Sequence, residues 1–154
     1  MDPTKPVLRS IGAFEVPTSG TAPAVEEWPR VLFVDDERLV LEGLRDGLRR
    51  FPFHIESADS ADRGFDVLDR ITIDVVVSDE RMPGMSGSEF LALVCERYPE
   101  TVRIMLSGQV GPATGARALE EGEVFRFVHK PCSAATLAAI IMEGLAARRS
   151  EPSE

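Results

Sequence analysis

Short β-branched runs and helical patterns take strict turns along this chain, and that alternation limits its fold more than any other feature. VLFVD (31–35) is a continuous apolar run too short for a helix, hence a buried strand. Leu41, Leu44 and Leu48 follow at the spacing of an amphipathic helix. Residues 53–57 alternate as a second strand, and Ser60 can cap a helix with Ala61, Phe65 and Leu68 on its inner face. Residues 73–79 read as a third strand. Ser86 and Glu89 form a capping box for a helix that buries Phe90, Leu91 and Val94 and ends at Tyr98-Pro99. Residues 102–107 make a fourth strand, and residues 112–121 a weak helix with Gly115 inside and Gly122 as its stop. Residues 125–129 make a fifth strand, and Ser133 caps a last helix running to about Arg148. This order implies an α/β fold, a doubly wound parallel sheet with helices on both faces and right-handed crossovers. The first, third and fourth strands are apolar on both faces, as the interior of a parallel sheet requires.

The flanks differ in composition. Residues 1–28 carry Pro3, Pro6, Pro17 and Pro23 among Gly, Ser and Thr, without a period of 2 or 3.6, and read as a mobile tail. Residues 29–149 form one domain, and 150–154 a frayed end. A net charge of −9 argues against nonspecific binding to nucleic acid or an anionic membrane, both of which need basic patches. No apolar stretch is long enough to span a bilayer, and the N-terminus lacks the basic start and apolar run of a signal peptide, so the cytoplasm is the expected location. Cys95 and Cys132 have neither metal-ligand spacing nor a disulfide framework and read as small apolar fillers.

An open parallel sheet binds its ligand at the carboxyl ends of its strands. Here those ends carry Asp35-Asp36, Asp79, Ser107-Gly108 and Lys130-Pro131. Clustered carboxylates raise one another's pKa unless a cation joins them. An all-oxygen set without His or Cys suits a hard ion such as Mg²⁺. A metal beside a lysine and a hydroxyl is also a phosphoryl-binding set, and one of the carboxylates can serve as a nucleophile that becomes an aspartyl phosphate. Each residue has a plainer alternative. Asp35 and Asp36 can cap the first helix, Asp79 can be a turn acid, and Ser107 and Lys130 can be ordinary strand-end groups. Phe127 can be plain core. Glu37 and Glu80 are expected to face solvent, and His54 and His129 to lie on the strand surface.

VLFVDDE, VVVSDERMPGMSG, RIMLSG and FRFVHKP, in this order, resemble the four landmark segments of response-regulator receiver domains of two-component signalling, over about residues 30–148. The resemblance implies a flavodoxin-like (βα)5 fold with strand order 2-1-3-4-5. It implies that Asp79 is the phosphoacceptor, and that Asp35, Asp36, Asp79 and the backbone carbonyl of Arg81 hold Mg²⁺. Lys130 would contact the phosphoryl group, Ser107 would bond one of its oxygens, and Phe127 would be the switch aromatic. The Lys130–Pro131 bond would be cis. The implied donor is a sensor histidine kinase or phosphotransfer protein, and the implied reader is an output domain or effector. The chain would catalyse its own phosphotransfer and dephosphorylation, acting as a switch rather than a conventional enzyme. Phosphorylation would reshape the face of the fourth helix, fifth strand and fifth helix. GEVFRFVHKPC and SDERMPGMSG look most like receivers that precede HD-GYP or related output domains, so the chain is either a single-domain regulator or part of a longer one.

Two other functions compete. A pseudo-receiver would keep the fold as a protein-interaction module without being phosphorylated, yet no acid, hydroxyl or lysine of the set is missing. An aspartyl-nucleophile phosphatase of the haloacid-dehalogenase type would want a D-x-D motif, absent around Asp79, and a cap domain for which there is no room. The last helix, with Ala134, Ala135, Leu137, Ala138, Ala139, Ile140, Ile141 and Met142, shows little polar face. Strong alanine propensity on a surface helix accounts for this plainly. The other reading is a partner or homodimer surface, the homodimer running through the fourth helix, fifth strand and fifth helix.

Overall fold

A computed structural model describes residues 10–11, 14–15, 24–108 and 123–150. Its central sheet contains β1 (Arg30–Val34), β2 (His54–Ala58), β3 (Val75–Ser78), β4 (Val102–Ser107) and β5 (Arg126–His129). All neighbours are parallel and the order is β2-β1-β3-β4-β5, the expected 2-1-3-4-5. The helices are α1 (Arg38–Gly47), α2 (Ala61–Arg70), α3 (Gly87–Arg97) and α4 (Ala134–Ser150). The last of these is the expected fifth helix; the weak helix read over 112–121 lies outside the described residues.

Side chains alternate across the sheet with the two-residue period of a strand, and this divides the core into two layers. Val31, Phe33, Val75, Val77, Ile104 and Leu106 face α1 and α4, meeting Leu48, Leu137, Ala138, Ile141 and Leu145. Leu32, Val34, Val76 and Met105 face the other way, onto Leu68, Phe90, Leu91 and Val94 of α2 and α3. Full burial of each large aliphatic or aromatic side chain stabilises the fold by about 1.5–3 kcal/mol, so these two layers dominate the folding energy. On α4, Leu137, Ala138, Ile141 and Leu145 are buried in the first layer, while Ile140 and Met142 pack against it half-buried. Much of this helix's apolar character is therefore consumed inside the molecule.

The helix starts are built as their sequences indicate. Ser60 Oγ accepts the Arg63 amide (3.1 Å), and Ser133 Oγ accepts that of Thr136 (3.1 Å). Ser86 and Glu89 form the reciprocal capping box of α3. Phe65 is half-buried rather than fully buried. It meets Phe90 edge-on at 5.0 Å between ring centroids and carries the Arg97 guanidinium 4.5 Å above its face.

At the amino end of the sheet, Asp74 accepts the Arg30 amide (2.9 Å) and pairs with Arg148 (3.3 Å), tying the end of α4 to β1. His54 is half-buried, with Nε2 2.6 Å from the Val25 carbonyl and its ring 5.8 Å from that of Trp28. Trp28 thus lies at the end of the sheet opposite Asp79. Within the segment read as a tail, Ser10–Ile11 and Phe14–Glu15 pair antiparallel as two-residue strands, and Val25–Glu27 forms a 3-10 turn. No helix among the described residues is long and apolar enough to cross a membrane.

Candidate functional site

The ladder of the sheet continues one residue past three of its strands, and those residues are the polar ones. Asp35 follows β1, with its amide on the Ala58 carbonyl (3.1 Å). Asp79 follows β3, with its amide on the Val34 carbonyl (2.9 Å). Lys130 follows β5, with its amide on the carbonyl of Ser107, the last residue of β4 (3.1 Å). Backbone pairing therefore sets Asp35, Asp79, Ser107 and Lys130 side by side on one rim. The strand ends read as including Asp35 and Asp79 each close one residue earlier in the structure.

Carboxylate oxygens of Asp35, Asp36 and Asp79 all lie within 4.8 Å of one another. Lys130 Nζ reaches Asp79 Oδ1 at 3.1 Å and Asp35 Oδ2 at 3.3 Å. The other oxygen of Asp35 accepts the Glu37 amide (2.9 Å) in the turn before α1. Glu37 is the N-cap residue and no side chain caps the helix, so the capping alternative for Asp35 is not realised. Asp35 and Ser107 are buried, Asp79 and Lys130 half-buried, and Asp36 exposed, giving a site closed beneath and open above. Phe127 is half-buried and packs on the α2/α3 side, in register with Met105. The Lys130–Pro131 peptide is cis. Arg81 is exposed on the loop after Asp79.

Burial is the largest influence on Asp79 and pushes its pKa up, with the Asp35 charge acting the same way. The hydrogen bond and charge of Lys130 and the Glu80 amide only partly offset this. Burial also works against the Lys130 ammonium, but its bonds and charge pairing with Asp79 and Asp35 prevail and its pKa is raised. The Lys130 ammonium thus favours the ionised form of Asp79 against burial and the Asp35 charge. The all-oxygen donor set fits a hard divalent ion such as Mg²⁺.

Glu80 is the main correction to the sequence reading. Instead of facing solvent, its carboxylate accepts the amide (2.9 Å) and hydroxyl (2.7 Å) of Ser88 in the first turn of α3. Ser78 was also missed: it is buried and donates its hydroxyl to the Asp79 carbonyl (2.9 Å). The Glu80 role follows no sequence spacing rule, because it depends on how the loop after β3 folds back to α3; the Ser78 bond is local, to the next residue's carbonyl. Gly84 turns that loop at φ +81°, a conformation glycine adopts without steric cost. Gly87 then crosses so close that an added Cβ would lie 2.1 Å from the Asp79 carbonyl oxygen. Gly87→Ala is therefore expected to displace backbone and destabilise the fold by about 1–3 kcal/mol or more, lowering the urea midpoint. An unchanged midpoint would contradict this packing.

The response regulator receiver domain model matches residues 31–142. The hydrogenase transcriptional regulatory protein HoxA of Cupriavidus necator is 38% identical over 101 residues, 66% of this chain and 21% of that protein. The response regulator protein FleR of Pseudomonas aeruginosa is 31% identical over 112 residues, 73% of this chain and 24% of that protein. The chain thus spans about a fifth to a quarter of the length of these curated relatives. Among solved structures, the signal receiver domain of an HD domain-containing protein from Pseudomonas fluorescens superposes with a TM-score of 0.75 at 31% identity, covering 80% of this chain and 98% of that one. A CheY-like receiver domain protein from Methanospirillum hungatei shares the fold, with a TM-score of 0.76 at 23% identity, covering 82% of this chain and all of that one.

Proposed function

The chain belongs to the response regulator receiver domain family, and from that premise we propose that it is a phosphorylation-driven switch of two-component signalling with Asp79 as phosphoacceptor. The observation that carries this reading is the position of Lys130 Nζ, within 3.3 Å of both Asp35 and Asp79, in a cluster of carboxylates that also includes Asp36. A phosphohistidine on a sensor kinase or phosphotransfer protein presents its phosphoryl group to Asp79. The Asp79 Oδ–P bond forms as the histidine N–P bond breaks. Lys130 neutralises charge on the transferring group. Asp35, Asp36, Asp79 and the Arg81 carbonyl are the groups that would hold Mg²⁺, which supplies further charge neutralisation when bound. Water later hydrolyses the acyl phosphate and returns Asp79 to its carboxylate.

Ser107 and Phe127 carry the signal outward. The Ser107 hydroxyl turns to a phosphate oxygen, Phe127 moves inward, and the face around β5 and α4 changes shape, a two-state equilibrium biased by phosphate. That face is where an effector, an output domain or a second copy would read the state. The relatives attach different outputs to similar receivers, including transcriptional regulation and, in Anaeromyxobacter dehalogenans, protein-glutamate methylesterase activity. The solved receiver from an HD domain-containing protein supports an output of that type. The proposed setting is the cytoplasm.

Incubating the folded chain with a small phosphodonor and Mg²⁺ is expected to add the mass of one phosphoryl group, and chelating the metal should abolish the gain. A folded chain that gains nothing would favour the pseudo-receiver.

A further inference from the structure

We infer that Glu80 is a positioning residue for phosphoryl transfer, holding the loop on either side of it through Ser88. This rests on the reading of Asp79 as phosphoacceptor.

Glu80 stands between two groups of the site. The residue before it is Asp79, and the residue after it is Arg81, whose carbonyl is a candidate metal ligand. The backbone of Asp79 is fixed on the strand side by its amide bond to Val34 (2.9 Å). On the loop side the Ser78 hydroxyl holds the Asp79 carbonyl (2.9 Å), and Glu80 is attached to the start of α3 at three points. Its carbonyl accepts the Gly87 amide (2.9 Å), closing the loop into a ring. Its carboxylate Oε1 accepts both the amide and the hydroxyl of Ser88, at 2.9 and 2.7 Å.

The chemistry suits these partners. Ser88 lies in the first turn of α3, where amides have no acceptor within the helix and a carboxylate is favoured by the helix dipole. Charge-assisted bonds of this length are among the stronger ones in proteins. The ring is tight as well as closed, because Gly87 packs against the Asp79 carbonyl with no room for a side chain. Pinning the main chain at Glu80 fixes the direction of the Asp79 side chain before it and of the Arg81 carbonyl after it. Without the side-chain clamp, the Glu80 main-chain bond to Gly87 and the Ser78 hydroxyl bond to the Asp79 carbonyl remain, but the loop loses both of its anchors on Ser88. A displacement of about 1 Å at a reacting group can cost on the order of 10²-fold in rate.

The test compares wild type, Glu80→Ala, Glu80→Gln and Ser88→Ala for the initial rate of phosphorylation by a small phosphodonor, the affinity for Mg²⁺ and the thermal midpoint. Glu80→Ala is expected to slow phosphorylation by about 10–100-fold and to weaken Mg²⁺ binding, at temperatures where circular dichroism shows it fully folded. Glu80→Gln keeps an oxygen for both Ser88 donors and should restore most of the rate. Ser88→Ala, which keeps the amide bond, should fall between. A purely structural Glu80 would lower the midpoint in the alanine variant while leaving rate and Mg²⁺ affinity at wild-type values, and that pattern overturns the inference. A glutamine variant as slow as the alanine variant overturns it too. A folded wild type that takes no phosphate overturns the Asp79 reading and this one with it, whereas a competent wild type matched by Glu80→Ala overturns this one alone.

Discussion

An Asp79→Asn chain is expected to take no stoichiometric phosphate and yet, in the presence of a chelator, to melt at a higher temperature than the parent. The first effect follows from losing the nucleophilic oxygen. The second follows from the cost of keeping Asp79 ionised. Burial first, and the neighbouring Asp35 charge as well, raise the Asp79 pKa above the ordinary 3.8, against the opposing pull of Lys130 and the Glu80 amide. An acid with a raised folded-state pKa contributes stability that is present below its unfolded value and lost as pH rises through its folded value. At neutral pH the ionised carboxylate therefore weighs against folding. Asparagine has nearly the same shape and no charge. Each kcal/mol recovered would lift the midpoint of a chain this size by roughly 2–4 °C. The gain should shrink as pH falls toward 3.8, where the parent's Asp79 is protonated as well. Added Mg²⁺ should narrow or reverse it, since only the parent has the full ligand set and a bound ion stabilises the state that binds it. Persisting label in the asparagine chain would remove Asp79 from its assigned role. A lower midpoint in chelator at pH 7 would show that the pull of Lys130, and not burial, governs this carboxylate.

The fold was legible because a strand buried on both faces must be apolar throughout, and few other elements of five or six residues look like that. Val31–Val34, Val75–Val77 and Ile104–Leu106 show it, and all are buried in the structure. The rim was legible for a related reason. A buried run that ends just before Asp35 or Asp79 marks the last position the sheet can cover, whereas the strand before Lys130 buries only Val128 fully. The boundaries slipped where the signal was of another kind. Asp35 and Asp79 donate their amides to a neighbouring strand without belonging to a strand themselves, and composition does not distinguish the two cases. Phe53 reads as the start of a strand by alternation, but the pairing begins at His54, opposite Arg30. Glu80 was misread because its partner, Ser88, is set by loop closure rather than by periodicity. The pairing of Ser10–Ile11 with Phe14–Glu15 involves strands too short to show any period. Leu39 is 80% exposed, on the polar side of α1 that the spacing of Leu41, Leu44 and Leu48 leaves outward.

Replacing Lys130 with methionine should do more damage to the site than any change outside Asp79. Methionine keeps a long, flexible apolar stem and removes the charge. Asp35 and Asp79 would then face each other and Asp36 without the ammonium that lies 3.3 and 3.1 Å from them. Breaking a fully buried pair costs about 3–5 kcal/mol. Lys130 keeps 27% of its side-chain surface exposed, so a loss of roughly 1–3 kcal/mol in chelator is the expected size. The pH dependence has a definite sign. The raised pKa of Lys130 means that its contribution is present at neutral pH and fades only as pH climbs through the folded-state value, above the ordinary 10.5. The gap between the two chains should therefore persist from neutral into mildly alkaline solution. Phosphorylation should slow by about 10²-fold or more, the usual effect of removing one group that stabilises developing charge. Mg²⁺ should recover more stability in the methionine chain than in the parent, because it no longer competes with the ammonium for the same carboxylates. A cycle with Asp79→Asn isolates the pair: once Asp79 is neutral, losing Lys130 should cost markedly less than in the parent. Equal costs on both backgrounds would mean that Lys130 acts on Asp35 alone, and its place in phosphoryl transfer would have to be given up.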